Sequence, residues 1–376
     1  MHAINFIGIG LAFFLSSMLI IKKKKGNFDY ILMAWLIFNG LNLYFFYLNF
    51  TDQTQLFIPA LIAMGLIPFL VSPLLFIYVS SLVQGINFSW RKQVPHLLPY
   101  VVMLVSMYWI YWTRGDHRNL KIANGFINFR GDLPYHIHYW ALLMAFSSFI
   151  YPLLCLYKLF RHRAVIENVF SSLKNNTLDW MRYWIIIEIV GFWISFIIIL
   201  ASDDKMLDYI TSFKVISGLI ILNIFVIGYF GIKQSNIFVG SGIKEDYKLP
   251  KEKYRSSNLD LNKKEELMLL LRSKMDEYKL YKKPTLNAKD VAEIIDVTNH
   301  QLSQLINQET DKNFYEFVNQ YRVEEFKRRV ITEEVNKLSL LGLAFDCGFN
   351  SKSTFNYIFK KSEGITPSQY KNKLSE

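Results

Sequence analysis

Long apolar stretches separated by short polar segments dominate the first 233 residues of the chain. Most of them approach the ~20 residues that an α-helix needs to cross the ~30 Å hydrocarbon core of a bilayer. They cover residues 3–21, 30–48, 56–83, 97–112, 136–157, 183–201 and 213–232. The pattern predicts a polytopic bundle of about seven membrane-spanning helices over residues 1–233. The third stretch carries Pro59, Pro68 and Pro73, so we expect a bend in it.

The pattern changes after residue 233. Residues 234–260 contain Gly240, Gly242, Pro250 and mixed charges without sustained helical periodicity, which predicts a semi-flexible connector. From residue 261 onward, apolar residues recur at helical spacing in segments that begin at capping signals. These signals are Asn262 with Glu265, Asn287 with Asp290, Thr298 with Gln301, Asn313 with Glu316, Ser339 and Ser351. The predicted fold class is all-α, with a membrane bundle followed by a helical domain over residues 261–376.

The short helices of residues 261–376 repeat one arrangement. Two short helices joined by a tight turn form a helix-turn-helix unit, and the sequence predicts one such unit near 288–306 and another near 340–359. A helix of about 18 residues separates them and would span about 27 Å. That length is comparable to the ~34 Å between successive major grooves on one face of B-DNA. The spacing therefore suits two reading helices on one duplex.

Polar side chains lie on the predicted outward face of the second helix in each unit. The first unit offers Asn299, His300, Ser303 and Gln304, and the second offers Lys352, Ser353, Asn356 and Lys360. Asn and Gln can pair with adenine through two hydrogen bonds, and Lys can bind guanine or phosphate. The alternative for any one of these residues is that it faces only water.

The tail resembles the DNA-binding domain of AraC/XylS-type transcription regulators over about residues 262–372. The stretch AFDCGFNSKSTFNYIFKKSEGITPSQY fits the family pattern A-x-x-x-G-F-x-S-x-S-x-F-x-x-x-F-K-K-x-x-G-x-T-P-x-x-Y, and VAEIIDVTNHQLSQLIN followed by NFYEFVNQYRV fits the first unit. Phe326 departs from the family, which often has a smaller residue there. The resemblance implies binding to double-stranded DNA, with base or phosphate contacts from Asn299, His300, Ser303, Gln304, Lys352, Ser353, Thr354, Asn356 and Tyr357.

The whole chain resembles a bacterial seven-span membrane protein with an AraC-type tail, also in the short junctions HLLPY and GYFGIKQ. This resemblance implies a membrane-bound one-component regulator of the bacterial inner membrane. Its spans would sense a ligand or membrane partner, its tail would bind DNA, and a homodimer is compatible with that role. The alternative is a transporter or membrane enzyme with an attached regulatory DNA-binding module. Inverted repeats would favour a transporter, and the sequence shows none.

Charge adds an orientation. The chain is 52% hydrophobic and 19% charged, and 45 of its 73 charged residues lie in the last 143. With the N-terminus outside, the internal loops of residues 1–233 hold eleven Lys and Arg residues and the external loops hold five. The positive-inside rule then places the C-terminus in the cytoplasm. The tail from residue 234 carries 24 basic and 21 acidic residues, and this net charge of +3 alone is modest for a DNA-binding domain.

Two regions of the membrane part are candidates for sensing a signal. Glu188 lies within a predicted span, where an ionisable side chain has either a functional contact or a polar hydrogen bond to another helix. The largest external loop, residues 113–135, carries Arg114, His117 and Arg118 and is a candidate for a signal-binding site. The alternative is that this loop is only a solvated connector.

Enzymatic and metal chemistry find little support. Cys155 and Cys347 have no Cys or His neighbour at metal-ligand spacing, so two buried thiols are expected instead of a zinc site or a disulfide. Residues 1–233 contain no nucleophile–base pairing and no phosphate-binding loop. We therefore predict no catalytic residues, no metal and no cofactor.

Overall fold

The computed structural model describes residues 2–50, 58–113, 120–123, 126–129, 135–173, 178–203, 209–240, 261–331 and 339–375. The chain divides into two compact units. One contains residues 1–160 and 179–245, and the other contains residues 161–178 and 246–376. Residues 161–178 thus belong with the C-terminal unit, a grouping that the sequence did not predict.

Helices account for most of the first unit. Their bounds are α1 (His2–Ile21), α2 (Asn27–Phe50), α3 (Ile58–Gly65), α4 (Pro68–Gln84), α5 (Trp90–Gln93), α6 (Leu98–Thr113), α7 (Tyr135–Glu167), α8 (Asp179–Asp203) and α9 (Tyr209–Gly240). The last turns of α7, from Arg161 onward, belong to the second unit.

A β-hairpin lies in the predicted external loop. Strands β1 (Leu120–Ala123) and β2 (Phe126–Phe129) pair antiparallel, with Leu120 opposite Phe129. The chain between them reads Asn-Gly, a dipeptide strongly typical of hairpins. The all-α class is confirmed for the remaining elements of the described residues, and its local failure here reflects two short β-prone runs around a turn signal.

Among the described residues, four helical segments are long and apolar enough to cross a membrane: Ala3–Ile21, Asn27–Leu48, Trp90–Thr113 and Lys214–Lys233. Helices α3 and α4 make a fifth if they count as one span, since they are bent by 55° at their break. The predicted bend in the third apolar stretch is therefore confirmed. Helices α7 and α8 contain two further predicted stretches but are not among the four, so the count of seven is not confirmed.

The second unit contains the short helices of the tail. Their bounds are α10 (Leu261–Tyr278), α11 (Ala288–Ile294), α12 (Asn299–Thr310), α13 (Phe314–Val330), α14 (Leu340–Asp346), α15 (Lys352–Glu363) and α16 (Pro367–Ser375). A 3₁₀ turn, Leu280–Lys282, follows α10. Helix α10 begins one residue before its predicted cap at Asn262. Helix α9 continues to Gly240, past the predicted start of the connector, and residues 241–260 lie outside the described residues.

Two apolar cores fill the second unit, and α13 contributes to both. Phe314, Phe317 and Val318 at its beginning pack with α10, α11 and α12. Val323 and Phe326 further along pack with α14 and α15. One rigid helix therefore carries both helix-turn-helix units, which fixes the spacing between them.

Candidate nucleic-acid interface

The first helix-turn-helix unit is α11 and α12 with the turn between them. Asp296 in the turn has a left-handed φ of 55°. At the start of α12, Thr298 Oγ1 accepts a hydrogen bond from the Gln301 amide at 3.2 Å, and the Gln301 side chain accepts one from the Thr298 amide at 2.9 Å. This predicted capping box is confirmed. Helix α12 buries Leu302, Leu305 and Ile306, which leaves its polar residues on the opposite face.

The second unit is α14 and α15. Gly348 forms the turn with a φ of 100°, and a Cβ atom there would lie 2.2 Å from the Tyr281 carbonyl oxygen. Ser351 caps α15 by accepting a hydrogen bond from the Thr354 amide at 3.1 Å. Helix α15 buries Phe355, Ile358 and Phe359. The rings of Phe355 and Phe359 belong to the core, as predicted, and do not offer a surface on which bases could stack.

The two sets of predicted DNA contacts differ in exposure. On α15, Lys352, Ser353, Asn356 and Tyr357 are exposed. Thr354 is half-buried, and its Oγ1 accepts a hydrogen bond from Ser351 Oγ at 2.8 Å. On α12 all four candidates are half-buried, namely Asn299, His300, Ser303 and Gln304. The structure therefore presents an open reading face on α15 and a partly covered one on α12.

Phe326, the departure from the family pattern, lies fully buried in the middle of the second core. Its ring centroid lies 4.8 Å from that of Phe355 and 5.4 Å from that of Phe359. These tilted and edge-on contacts are favourable arrangements for aromatic pairs. The large side chain therefore holds α15 against α13.

Arg322 is the buried cation at the centre of the second unit, and sequence reasoning missed it. It is 1% exposed, yet its guanidinium donates five hydrogen bonds. Nε donates to the Tyr281 carbonyl at 2.8 Å, Nη1 to the Ser171 carbonyl at 2.9 Å and to Asn319 Oδ1 at 3.2 Å. Nη2 donates to Ser171 Oγ at 3.0 Å and to the Lys283 carbonyl at 2.9 Å. A guanidinium has five N–H groups, so every donor has an acceptor.

A signal for Arg322 was present in the sequence. Phe314, Val318, Arg322 and Phe326 follow each other at intervals of four, so the arginine lies on the apolar stripe of α13. A cation in such a position requires acceptors in the core. The acceptors could not be named from the sequence, because two of them belong to Ser171, about 150 residues away along the chain.

Residues 168–173, which we call the inserted segment, supply those acceptors. Phe170 and Asn287 form an antiparallel bridge. In it the Ser171 amide donates to the Leu286 carbonyl at 3.1 Å, and the Ala288 amide donates to the Val169 carbonyl at 2.8 Å. The inserted segment is thus hydrogen-bonded to the backbone at the start of the first helix-turn-helix unit.

Further contacts fix the inserted segment along the face of the unit. Ser303 Oγ on α12 donates to the Asn168 carbonyl at 3.4 Å. Asn350, in the turn before α15, donates to Ser172 Oγ. Leu173 packs against the second apolar core. The segment therefore contacts both helix-turn-helix units, at the reading face of α12 and beside the start of α15.

Electrostatic contacts also stabilise the second compact unit, which contains the helices of the tail. Lys361 Nζ on α15 donates to Glu316 Oε1 on α13 at 2.8 Å, and this hydrogen bond lowers the pKa of Glu316. Burial lowers the pKa of Arg322 to about 10, so the guanidinium stays protonated at neutral pH. Its positive charge is compensated by the dipoles of the backbone carbonyls that surround it.

The candidates for signal sensing have mixed outcomes. Glu188 on α8 accepts a hydrogen bond from the side-chain amide of Asn223 on α9, and Asn223 accepts one from Trp184 Nε1 at 2.9 Å. This is the polar hydrogen bond to another helix that was predicted as the alternative to a functional contact. Arg114, His117 and Arg118 lie outside the described residues.

Both cysteines are buried free thiols, as predicted. Within the described ranges, no group of three His, Cys, Asp or Glu side chains is arranged to hold a metal ion.

Comparison with known families adds one finding. Residues 291–373 match the family model of a helix-turn-helix domain of the AraC type, a range that runs from α11 into α16 and includes both units. No curated protein and no solved structure shows significant similarity to the chain. The match supports a DNA-binding helix-turn-helix domain of the AraC type in this part of the chain.

Proposed function

We propose that the chain is a membrane-bound one-component transcription regulator, whose spans sense a signal and whose residues 261–376 bind a specific sequence of double-stranded DNA. One observation carries this proposal. The same chain combines a tandem helix-turn-helix unit, matched to a DNA-binding family, with helices long and apolar enough to cross a membrane.

The geometry of the two helix-turn-helix units supports sequence-specific recognition of DNA. Helix α13 has 17 residues and is therefore about 25 Å long. That length is comparable to the ~34 Å of one turn of B-DNA, which supports the proposal that α12 and α15 enter successive major grooves on the same side of a duplex. The exposed Lys352 and Asn356 on α15 have the chemistry to contact base edges.

The surface of the first compact unit, residues 1–160 and 179–245, supports membrane insertion. Helix α1 leaves large apolar side chains uncovered, with Phe14 61% and Ile21 79% exposed. Helix α6 does the same with Val105, Trp109 and Trp112. Contiguous apolar surface of this kind is unusual on a protein that faces water, and it suits contact with lipid chains.

The proposed topology has the N-terminus outside and the C-terminus in the cytoplasm, where the tail can reach DNA. Reporter fusions at Gln53, Asp116 and Glu245 test it and should report outside, outside and inside. A periplasmic result at Glu245 would contradict both the topology and the proposed function.

We also propose Glu188 as a residue through which α8 and α9 respond to a signal. Glu188→Gln keeps a side chain that can hydrogen-bond Asn223 but loses the charge, whereas Glu188→Leu loses both. If charge matters for signalling, the expression of target genes should change in both variants. If only the inter-helix contact matters, it should change in the leucine variant alone.

The central experiment is genome-wide mapping of DNA crosslinked to the intact protein, followed by electrophoretic shifts on the recovered sites. Enrichment of a few sites with two half-sites about one helical turn apart is expected. Lys352→Ala and Gln304→Ala should each weaken binding by roughly 1–3 kcal/mol if these residues contact bases. Gln304→Ala should leave the salt dependence nearly unchanged, since the side chain is uncharged. The absence of any enriched site would contradict the proposal.

A further inference from the structure

The inserted segment, residues 168–173, contacts the polar face of α12 that would have to meet DNA. Ser303 and its three neighbouring candidates on α12 are half-buried, although the corresponding face of α15 is exposed. The Asn168 carbonyl accepts the hydrogen bond from Ser303 Oγ. Asn299 Oδ1 is buried and accepts no hydrogen bond from the described residues. Helices α12 and α15 are both capped and amphipathic, and the hydrogen bond from Ser303 to the inserted segment lies on the polar face of α12.

A helix bound in the major groove leaves no room for this segment. The groove is about 12 Å wide, and an α-helix with its side chains is about 10–12 Å across. Backbone within hydrogen-bonding distance of Ser303 therefore occupies space that base edges or the groove walls would need. Contact of Ser303 with Asn168 and contact of Ser303 with DNA are mutually exclusive.

We propose that the inserted segment is an autoinhibitory element, which blocks the reading face of α12 and must leave its cleft before α12 can bind DNA. The proposal rests on the proposed DNA-binding function and names a regulation of that same site. In the blocked state only α15 offers an open face, so the protein contacts half of a full site. Release of the segment opens the second reading helix and allows both half-sites to be bound together.

The contacts of the inserted segment suit a reversible element. They are chiefly hydrogen bonds, through the amide, carbonyl and hydroxyl of Ser171 and the carbonyls of Asn168 and Val169. Water can replace such bonds when the segment leaves. Of the three apolar residues of the segment, Val169 is buried, whereas Phe170 and Leu173 are half-buried. Elements with few buried apolar contacts open at lower free energy than the core.

The inserted segment is also placed along the chain where a signal can reach it. It begins directly after α7 and is followed, five residues later, by α8. Both helices belong mostly to the first unit. A change in the separation or rotation of their cytoplasmic ends would therefore act on the segment through covalent connection alone.

The first test forces the segment out of its cleft in the full-length protein in detergent micelles or nanodiscs. Ser171 is 0% exposed, so the side chain of Ser171→Trp has no room while the segment is bound. We expect this variant to bind a selected full-site duplex at least tenfold more tightly than the wild-type protein. Ala164→Ser, a change at an exposed position near the end of α7, is the control and should bind like the wild type.

The outcomes separate the two proposals. Wild-type binding that is specific, with Ser171→Trp binding equally well or more weakly, overturns the autoinhibitory role and leaves the DNA-binding function intact. If none of the three proteins selects any sequence, the DNA-binding function fails and the autoinhibition fails with it.

The second test locks the segment in place and does not depend on how well Ser171→Trp folds. The double variant Asn168→Cys, Ser303→Cys is joined by a reducible bis-methanethiosulfonate reagent, which does not reach the buried Cys155 and Cys347. We expect the joined protein to bind full-site DNA at least tenfold more weakly than the same protein after reduction. Binding to a duplex with only the α15 half-site should be the same in both states. Equal full-site affinity before and after reduction would overturn the proposal.

Discussion

Gly348→Ala adds a single methyl group and should strongly destabilise the second helix-turn-helix unit, α14 and α15. The φ of 100° at Gly348 is a backbone conformation that residues with a side chain rarely adopt, at a cost of roughly 1–2 kcal/mol. A Cβ there would also lie 2.2 Å from the Tyr281 carbonyl oxygen and 3.0 Å from Lys282 Cα. These are backbone atoms, so they cannot rotate away, and overpacking of this kind adds about 1–3 kcal/mol. Gly348→Ala should therefore destabilise the unit by about 2–5 kcal/mol.

Gly364→Ala is the matched control for this change. Gly364 ends α15 with a φ of 75°, and nothing lies within 4 Å of where its Cβ would be. Its substitution should cost only the conformational part, roughly 1–2 kcal/mol. The difference between the two variants isolates the clash with the 3₁₀ turn.

Amide hydrogen exchange, followed by mass spectrometry on the full-length protein, measures both variants. The slowest amides of α13 report the opening of the whole unit. Since 1.4 kcal/mol corresponds to a factor of ten, Gly348→Ala should accelerate their exchange by about 30- to 4,000-fold and Gly364→Ala by about 5- to 30-fold. If Gly348→Ala is no more harmful than Gly364→Ala, the close approach to Tyr281 is not what requires a glycine.

Three further changes test the caps, the charges and the core. Thr298→Ala removes the capping box and should destabilise α12 by about 1 kcal/mol, measured as faster exchange of its first amides. The hydrogen bond from Lys361 lowers the pKa of Glu316, so the pair stabilises the fold above the unfolded-state pKa of about 4.3 and loses that contribution as the pH falls through the lower folded-state pKa. Glu316→Gln should therefore lower the free energy of unfolding by up to about 1 kcal/mol near pH 7 and hardly at all near pH 2, measured by denaturant titration at both pH values. Phe326→Ala should cost about 3–5 kcal/mol by the same titration, because the ring is fully buried between α13 and α15.

Sequence reasoning succeeded where structure is decided by neighbouring residues. The caps at Asn287, Thr298, Asn313, Ser339 and Ser351 all accept the backbone hydrogen bonds expected of them. A cap depends on one side chain and an amide three residues away, so the local sequence is sufficient to predict it. Gly348 was found for a similar reason, since a tight turn between two helices requires a left-handed residue.

The surroundings of the proposed DNA-contacting residues were harder to predict than the helices that carry them. Helical periodicity identified the outward face of α12 correctly, since Leu302, Leu305 and Ile306 point the other way. What lies on that face depends on tertiary structure. The inserted segment comes from more than 100 residues earlier, and its sequence, NVFSSL, has no charge and no motif that marks it as part of a DNA-binding unit.

The number of membrane spans was hard to predict for a different reason. Hydropathy measures composition along a window, whereas a span is defined by a helix of sufficient length in one direction. The third apolar stretch is a pair of helices bent by 55°, and α7 combines an apolar part with the charged turns from Arg161 onward. Either feature allows one apolar stretch to be counted differently from one membrane crossing.

Arg322 links the inserted segment to the spacing of the two reading helices. Its guanidinium contacts the carbonyls of Tyr281 and Lys283, which precede the first helix-turn-helix unit, while its backbone belongs to α13 and so to both units. Two of its five hydrogen bonds go to Ser171, so departure of the inserted segment leaves two donors of a buried cation without protein acceptors. Water must enter the cleft to satisfy them, because an unpaired buried charge is costly. The blocked state is therefore stabilised by the contacts of Arg322 on α13, the helix that separates α12 from α15. A signal that releases the segment would expose α12 and would also change how rigidly Arg322 connects α13 to the residues before the first helix-turn-helix unit.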